Sequence, residues 1–381
     1  MTDRLAQCAN VLRSGDELGN HTILKLRLPS GREIFGFGTE TVVTGDWALG
    51  PTWCYYVPSE PSFLLDCGWQ KWGGLNLLKM MEETGIRSKD IGTVMISHGH
   101  EDHDGGLSEL VDATGLKVMA HPIYERLIRR YPENTPSGAR AGFSASCWNC
   151  SMPSSFSEKY CLAYHRERDR LQIEDIPRFG NPLFDGITVH HLPGHCPDAI
   201  AVMVGEEAIL VGDIILPEIT PHPTLESHYR MTGEILKPVY ERADQIYGLR
   251  IYIRTLKKLL EIAKQYPDIL VLPAHRLFYM RRWNGLSLRD RVAELIEHHI
   301  QRCADILALL KGGPKTAEEI ALEYFEPRLL RGFGILMAIN EILSHCELLS
   351  ISGDVTLEGD KITGTGSAKF ERLIDALEPL P

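Results

Sequence analysis

The sequence lacks an apolar run of about 18 residues or more, so no membrane-spanning helix is expected. It also lacks the basic stretch followed by an apolar core that marks a secretory leader, opening instead with Met1-Thr-Asp-Arg-Leu-Ala-Gln-Cys8. A cytoplasmic location with no membrane partner is the expectation. Positive charge is scarce: 40 Lys and Arg stand against 51 Asp and Glu, a net charge of −11. Binding held mainly through phosphates requires clustered Lys and Arg, so a nucleic-acid partner is not expected. The 9 cysteines are odd in number and scattered from Cys8 to Cys346, unlike a secreted disulfide framework. Internal repeats and low-complexity linkers are missing as well.

What is present is enough for a sizeable core. A chain of 381 residues with 44% hydrophobic content suggests two domains, or one large domain with an appendage. β-Branched and aromatic stretches broken by turn residues predict strands over 21–28, 33–37, 52–57 and 62–65. A helix over 75–83, closed by Gly85, then leads to a strand over 93–97. Strands return over 187–191, 199–204 and 208–211. An amphipathic helix over 249–265 follows, placing Leu256, Leu259, Leu260 and Ala263 on one face, before a strand over 269–272. From Ser287 onward the pattern is helical, over 291–310, 317–325 and 334–344, with strand-like pieces over 348–351 and 361–363. Three helices and a β-hairpin are the parts of a winged-helix module.

The chemistry concentrates where the 93–97 strand empties into Ser97-His-Gly-His-Glu-Asp-His-Asp-Gly-Gly106. Imidazole nitrogens and carboxylate oxygens bind zinc and similar divalent ions. His98 and His100, at alternate positions of a strand exit, point the same way, and the following turn can direct Asp102 and His103 at a second ion. Singly, each of these histidines reads more naturally as a surface or satisfied core residue; together at a strand end they read as metal ligands. Three more strand ends carry a ligand-type residue: Leu192-Pro-Gly-His195, Leu210-Val-Gly-Asp213 and Leu272-Pro-Ala-His275. Strand ends hold side chains rigidly, as a metal site requires. Cys196 reads as a packed neighbour of His195 rather than a nucleophile.

With these residues in place, the chain closely resembles the metallo-β-lactamase superfamily, whose His-x-His-x-Asp-His motif stands intact at 98–103. The resemblance spans roughly 22–276 and implies an α/β fold, an αββα sandwich with the site at one edge. It implies that His98, His100 and His195 hold one ion, that Asp102, His103 and His275 hold the other, and that Asp213 bridges them. Asp66, ending Phe63-Leu-Leu-Asp, matches an acidic position that supports the ligands from behind. The implied mechanism is attack by a hydroxide bridging two ions about 3.5–4 Å apart, with Asp102 and Asp213 as the catalytic carboxylates. Zinc is the expected metal, with iron or manganese as alternatives.

The C-terminal part more loosely resembles a subgroup of these hydrolases with a winged-helix domain, through Ile219-Thr-Pro-His-Pro223, His298-His-Ile-Gln-Arg302 and Lys315-Thr-Ala-Glu-Glu-Ile320. The expected organisation is a catalytic domain over 1–286, with a helical lid inserted over about 122–181, and a winged-helix-like domain over 287–381. From Pro122 to Gly180 the segment carries 9 Lys and Arg against 7 Asp and Glu, mildly positive in an acidic protein. Arg126, Arg129, Arg130, Arg140, Arg166, Arg168 and Arg170 could hold an anionic handle such as coenzyme A phosphates. Tyr124, Phe143, Trp148, Phe156, Tyr160 and Tyr164 could meet an acyl group or simply pack the lid down. Arg126, Arg130, Arg140 and Tyr160 are the substrate candidates from this segment. His222 and His228, after Asp213, are the others, or else are plain loop histidines. Cys147, Cys150 and Cys161 lack the second half of a metal site. With 10 Lys and Arg against 16 Asp and Glu beyond Ser287, the C-terminal part reads as a packing or homodimerisation module.

The expected activity is two-metal hydrolysis of an ester or thioester in a small anionic molecule such as an acyl-CoA. The alternatives are a phosphodiesterase or ribonuclease, and an iron-dependent dioxygenase on the same scaffold.

Overall fold

The computed structural model describes residues 2–40, 49–69, 73–128, 167–168, 170–332 and 334–381. Two β-sheets face each other, each with helices on its outer side. The first sheet runs in sequence order: β1 (Ala9–Arg13), β2 (Ile23–Arg27), β3 (Glu33–Thr39), β4 (Thr52–Val57), β5 (Phe63–Leu65), β6 (Thr93–Met95), β7 (Lys117–Ala120) and β8 (Ile173–Asp175). It is antiparallel through β5 and parallel from β5 to β8. The second sheet contains β9 (Pro182–Phe184), β10 (Ile187–His191), β11 (Ile200–Val204), β12 (Ala208–Gly212) and β13 (Leu270–Pro273), with only β12 and β13 parallel.

The period-2 alternation of side chains divides each strand between two cores. On β4, Trp53, Tyr55 and Val57 meet the opposite sheet, while Cys54 and Tyr56 face outward. On β11, Ile200, Val202 and Val204 face inward, and Ala201 and Met203 face out. The outer face of the first sheet is covered by α1 (Gly73–Glu83) and α2 (Leu107–Thr114), through Leu77, Met80, Met81, Leu107 and Leu110. The outer face of the second is covered by α3 (Leu249–Gln265), whose Ile253, Leu256 and Leu259 are buried. The layers are therefore helix, sheet, sheet, helix.

After a small hairpin of β14 (Phe278–Tyr279) and β15 (Arg282–Trp283), the chain forms α4 (Leu288–Leu310), capped by Ser287 Oγ accepting from Asp290 N. Next come β16 (Lys315–Thr316), α5 (Ala317–Tyr324), α6 (Gly334–Ile351), the hairpin strands β17 (Val355–Glu358) and β18 (Lys361–Gly364), and α7 (Phe370–Ala376). Thr316 and Glu319 form the reciprocal cap of α5. One continuous apolar core runs from β11 and β12 through α3 into α4, α5 and α6.

Two sequence expectations are corrected. Residues 348–351 are the last turn of α6, not a strand, and the hairpin partner of β18 is β17. The apolar 348–351 run has no surface to alternate against because α6 is packed among α3, α4 and α5. Among the described residues, α6 alone has the length and apolar composition to cross a membrane, yet 56% of it is buried within the protein. The second correction concerns the expected insertion, because Ile173–Asp175 belongs to the first sheet as its edge strand β8. Tyr124, placed among the lid aromatics, is a fully buried core residue whose hydroxyl donates to Asp104 at 2.7 Å.

Candidate metal centre

The C-terminal ends of β5, β6, β12 and β13 converge, because β5–β6 and β12–β13 are the parallel pairs at the middle of one sheet and the edge of the other. Beyond β6 the chain enters Ser97-His98. Asp66, just past β5, fixes that exit: Ser97 N donates to its Oδ1 at 2.7 Å and Ser97 Oγ to its Oδ2 at 2.7 Å. A single helical turn, Glu101–Asp104, then buries Asp102 and His103. His103 Nδ1 comes back to Asp66 Oδ2 at 2.8 Å.

On the second sheet, Gly194 precedes His195 with φ 138°, and a Cβ there would meet Tyr252 Cα at 2.5 Å. Only glycine lets this turn sit against α3. Gly212, with φ 51°, brings the end of β12 to Ser97, which a Cβ would meet at 3.2 Å. Asp213 follows directly. His275 leaves β13 with its Nδ1 placed 3.1 Å from Pro51 O.

Seven side chains thus meet in one cluster, buried except at the more exposed His100 and His195. His98, His100 and His195 bring ligand atoms within 4.8 Å of one another, as do His98, His103 and Asp213, and again Asp102, His103 and His275. His98 Nε2 is 2.9 Å from His100 Nδ1. Asp213 divides its carboxylate between the groups. Its Oδ2 lies 3.7 Å from His195 Nε2, and its Oδ1 lies 3.5 Å from both His103 Nε2 and His275 Nε2. Asp102 Oδ2 lies 3.0 Å from His275 Nε2 and 3.7 Å from His103 Nε2.

Four of the polar atoms facing inward are left without hydrogen-bond partners. His103 Nε2, His195 Nε2, His275 Nε2 and Asp213 Oδ1 are all buried and unsatisfied. Four such atoms converging on one spot would be costly if nothing joined them. The other ring nitrogens of the three histidines are all committed outward, to Asp66, to His222 O at 3.0 Å and to Pro51 O. This is the arrangement of imidazoles that offer a lone pair to a cation.

Electrostatics divide the cluster in the same way. Burial lowers His98 well below the ordinary imidazole range, with His103 adding to it, and lowers His100 to about 3. His195 is also lowered by burial, against the pull of Asp213. Burial acts downward on His103 too, but Asp102, Asp213 and Asp66 outweigh it and raise it well above 6.5. His275 is raised likewise, burial being overcome by Asp213 and Asp102. Burial would raise both carboxylates; His103 and His275 hold Asp102 down to about 2 and Asp213 well below its ordinary value. One half of the cluster offers neutral nitrogens and the other gathers positive charge around two anions. Divalent ions would take the place of those protons, so the donor set fits a pair of them.

The remaining sequence candidates fall elsewhere. His222 touches the centre through its main chain, while its imidazole lies beside Glu341, Arg302 and the main chain of Met337. His228 is buried against the Tyr247 ring at 6.1 Å. Arg126 lies on the Tyr124–Ile128 helix with its side chain exposed. Arg168 is buried in an ion pair with Asp104, and Arg170 pairs with Asp112 at 2.6 Å, so both charges are already matched. Arg130, Arg140 and Tyr160 lie outside the described residues, as do Arg129, Arg166, Phe143, Trp148, Phe156, Tyr164 and the cysteines Cys147, Cys150 and Cys161. Cys196 is buried with its thiol donating to Asp198 at 2.8 Å, and burial raises its pKa, which suits a packed side chain. The sequence reading missed Ser97, whose signal is its place between an apolar strand and the motif. It also missed the carbonyls of Pro51 and His222, which carry no side-chain signal.

A second group, His298, His299 and Glu341, also brings ligand atoms within 4.8 Å. A cation already stands there: Arg302 donates to Glu341 Oε1 at 3.0 Å and to His298 Nε2 at 3.3 Å, and its guanidinium lies 4.6 Å from the Tyr324 ring centre.

Comparison with known proteins agrees with this geometry. The family model described as the metallo-β-lactamase superfamily matches residues 47–275. Among solved structures, a metallo-β-lactamase family protein of Thermus thermophilus is 22% identical, with a TM-score of 0.58, covering 87% of this chain and 98% of that one. A β-lactamase domain protein of Burkholderia ambifaria is 17% identical, with a TM-score of 0.63, covering 87% of this chain and 92% of that one. No curated protein matches the sequence.

Proposed function

The chain belongs to the metallo-β-lactamase superfamily, most of whose members are metal-dependent hydrolases, and on that premise we propose that it is a two-zinc hydrolase of an ester or thioester in a small anionic molecule. The observation that carries the two-metal part is Asp213, whose oxygens face His195 on one side and His103 with His275 on the other. When bound, a pair of divalent ions supplies an acidified water and a Lewis acid for the electrophile's oxygen.

This chain's own residues then have distinct tasks. His98, His100 and His195 would hold one ion as neutral imidazoles, and Asp102, His103 and His275 the other. Asp66 holds the Nδ1 proton of His103, which leaves Nε2 free as a ligand. The strand ends keep these side chains from collapsing. The ester or thioester assignment draws on the composition of 122–181, which includes Arg126, Arg130, Arg140 and Tyr160 and is mildly positive in an acidic protein. In this reading the C-terminal helices and hairpin form a winged-helix-like unit that packs rather than binds nucleic acid.

The test is metal content per chain in protein purified without added metal, combined with a panel of acyl-CoA thioesters, simple esters and a phosphodiester. Two zinc equivalents with chelator-sensitive thioester cleavage support the proposal. A single iron, or cleavage of the phosphodiester alone, overturns it.

A further inference from the structure

His195 is held from outside the strand that bears it. Its Nδ1 donates to His222 O at 3.0 Å, which leaves the Nε2 lone pair facing Asp213. Two residues on, Thr224 fastens the residue before His195, because its N and Oγ1 both donate to Gly194 O, at 2.7 and 2.9 Å. Residues 222–228 therefore form a strap across the turn that carries His195.

The other end of the strap is tied to the C-terminal segment. Glu226 N donates to Glu347 Oε2 at 2.7 Å and Ser227 N to Glu347 Oε1 at 3.1 Å. These are consecutive main-chain donors at the start of a short helical turn, Glu226–His228, where no intrahelical acceptor exists for them. Glu347 takes both, from the last turns of α6. Arg250 adds an ion pair to Glu226 at 2.7 Å, and Gly248 N donates to Thr224 Oγ1 at 3.1 Å. The His222 imidazole is buried beside Glu341, earlier on α6, and Arg302 of α4. The strap's contribution to the metal cluster is the carbonyl of His222, and that carbonyl stays in place only if the strap does.

We propose that Glu347 is a positioning residue for the metal ligand His195, acting through the 222–228 strap, so that the C-terminal segment sets the affinity of one metal ion. The proposal rests on the metal reading given above. It accounts for the Glu347 carboxylate of α6 turning toward the strap. It also gives the C-terminal segment a role in the site without contact with substrate.

The test is cobalt(II) titration of the full-length protein, following the ligand-field absorption of each ion, in wild type, Glu347→Ala, Glu347→Gln and Ile342→Ala. Ile342 is fully buried on the same helix within the shared apolar core, so its truncation loosens the packing and leaves the strap's hydrogen bonds in place. Glu347→Ala is expected to lose roughly tenfold or more in affinity for one cobalt ion while the other binds as before. Glu347→Gln, which keeps an acceptor, is expected to lose less. Ile342→Ala is expected to melt earlier and still bind both ions normally. Wild-type affinity for both ions in Glu347→Ala, or in Glu347→Gln should the alanine variant not fold, overturns the positioning role. So does loss of the same ion in Ile342→Ala. A wild-type protein that binds no cobalt overturns the metal reading itself, and that result is visible before any variant is made.

Discussion

Asp66 Oδ2 stands 2.8 Å from His103 Nδ1, and both side chains are shut off from solvent. The same carboxylate takes two hydrogen bonds from Ser97. One buried anion therefore sets both the course of the loop that carries His98 and the tautomer of His103. Asp66→Ala is expected to weaken metal binding by roughly 10–100-fold, as loss of a ligand's outer partner does. Asp66→Asn should lose less, because it still accepts from Ser97. Competition with a metal-sensitive chelating dye measures both; unchanged affinity in Asp66→Ala would remove this role.

The split of Asp213 between two groups makes a prediction about stoichiometry. His195→Ala and His275→Ala should each leave one ion bound, held by opposite halves of the cluster. Asp213→Ala should weaken both ions and lower turnover by about 100-fold or more, since it removes a contact common to the pair. Metal analysis after dialysis separates these cases. Two ions retained in Asp213→Ala would show that the carboxylate does not bridge.

Gly194→Ala places a methyl group 2.5 Å from Tyr252 Cα in a backbone conformation that side chains rarely adopt. The turn must shift, and His195 shifts with it. The expected result is loss of one bound ion together with a lower melting temperature, read by metal analysis and thermal denaturation. A variant with normal metal content would mean that the turn relaxes without moving His195.

The buried histidines of the C-terminal segment predict a pH dependence. Burial lowers His345 to about 4, with Glu341 opposing, and His299 is lowered by burial and by His345. The unfolded imidazole takes its proton near 6.5, whereas folded His345 refuses it until about 4. Its contribution is therefore present above 6.5 and is lost as pH falls toward 4, on the order of 3 kcal/mol. Glu347, raised by burial to about 7, acts in the opposite sense. The comparison must therefore be internal: His345→Gln should lose less stability than wild type on acidification from pH 7 to about pH 4.5. Equal losses in thermal melts at the two pH values would exclude His345 as the source.

Much of the site was readable because its ligands lie next to strands that announce themselves. The window 98–103 is contiguous, and His195, Asp213 and His275 each close an apolar run followed by one or two small residues. Some of the elements that escaped were weak in their own sequence, although the strand Lys117–Ala120 and the helix Leu107–Thr114 were not. Ile173–Asp175 is a three-residue edge strand with two carboxylates, and Ala9–Arg13 is a largely exposed edge. Helix α6 was cut short because it is apolar on most sides, which erases the 3.6-residue rhythm and leaves 348–351 looking like a strand. The strap was invisible for a different reason. It works through carbonyls and N–H groups, brought within reach of His195 and Glu347 only by the tertiary fold.

The seven candidate ligands begin at His98 and end at His275, in segments that follow strands of both sheets. During synthesis the early motif therefore emerges long before its partners, and no shorter portion of the chain holds a complete set. Capture of the ions must wait until β13 has docked beside β12, and, if the strap depends on Glu347, until the final helices have folded as well. On the metal reading, loading is then expected to follow the folding of these elements, and the free energy of binding would help hold both sheets and the C-terminal helices together. A chelator would accordingly lower the melting temperature of the whole protein rather than loosen one loop.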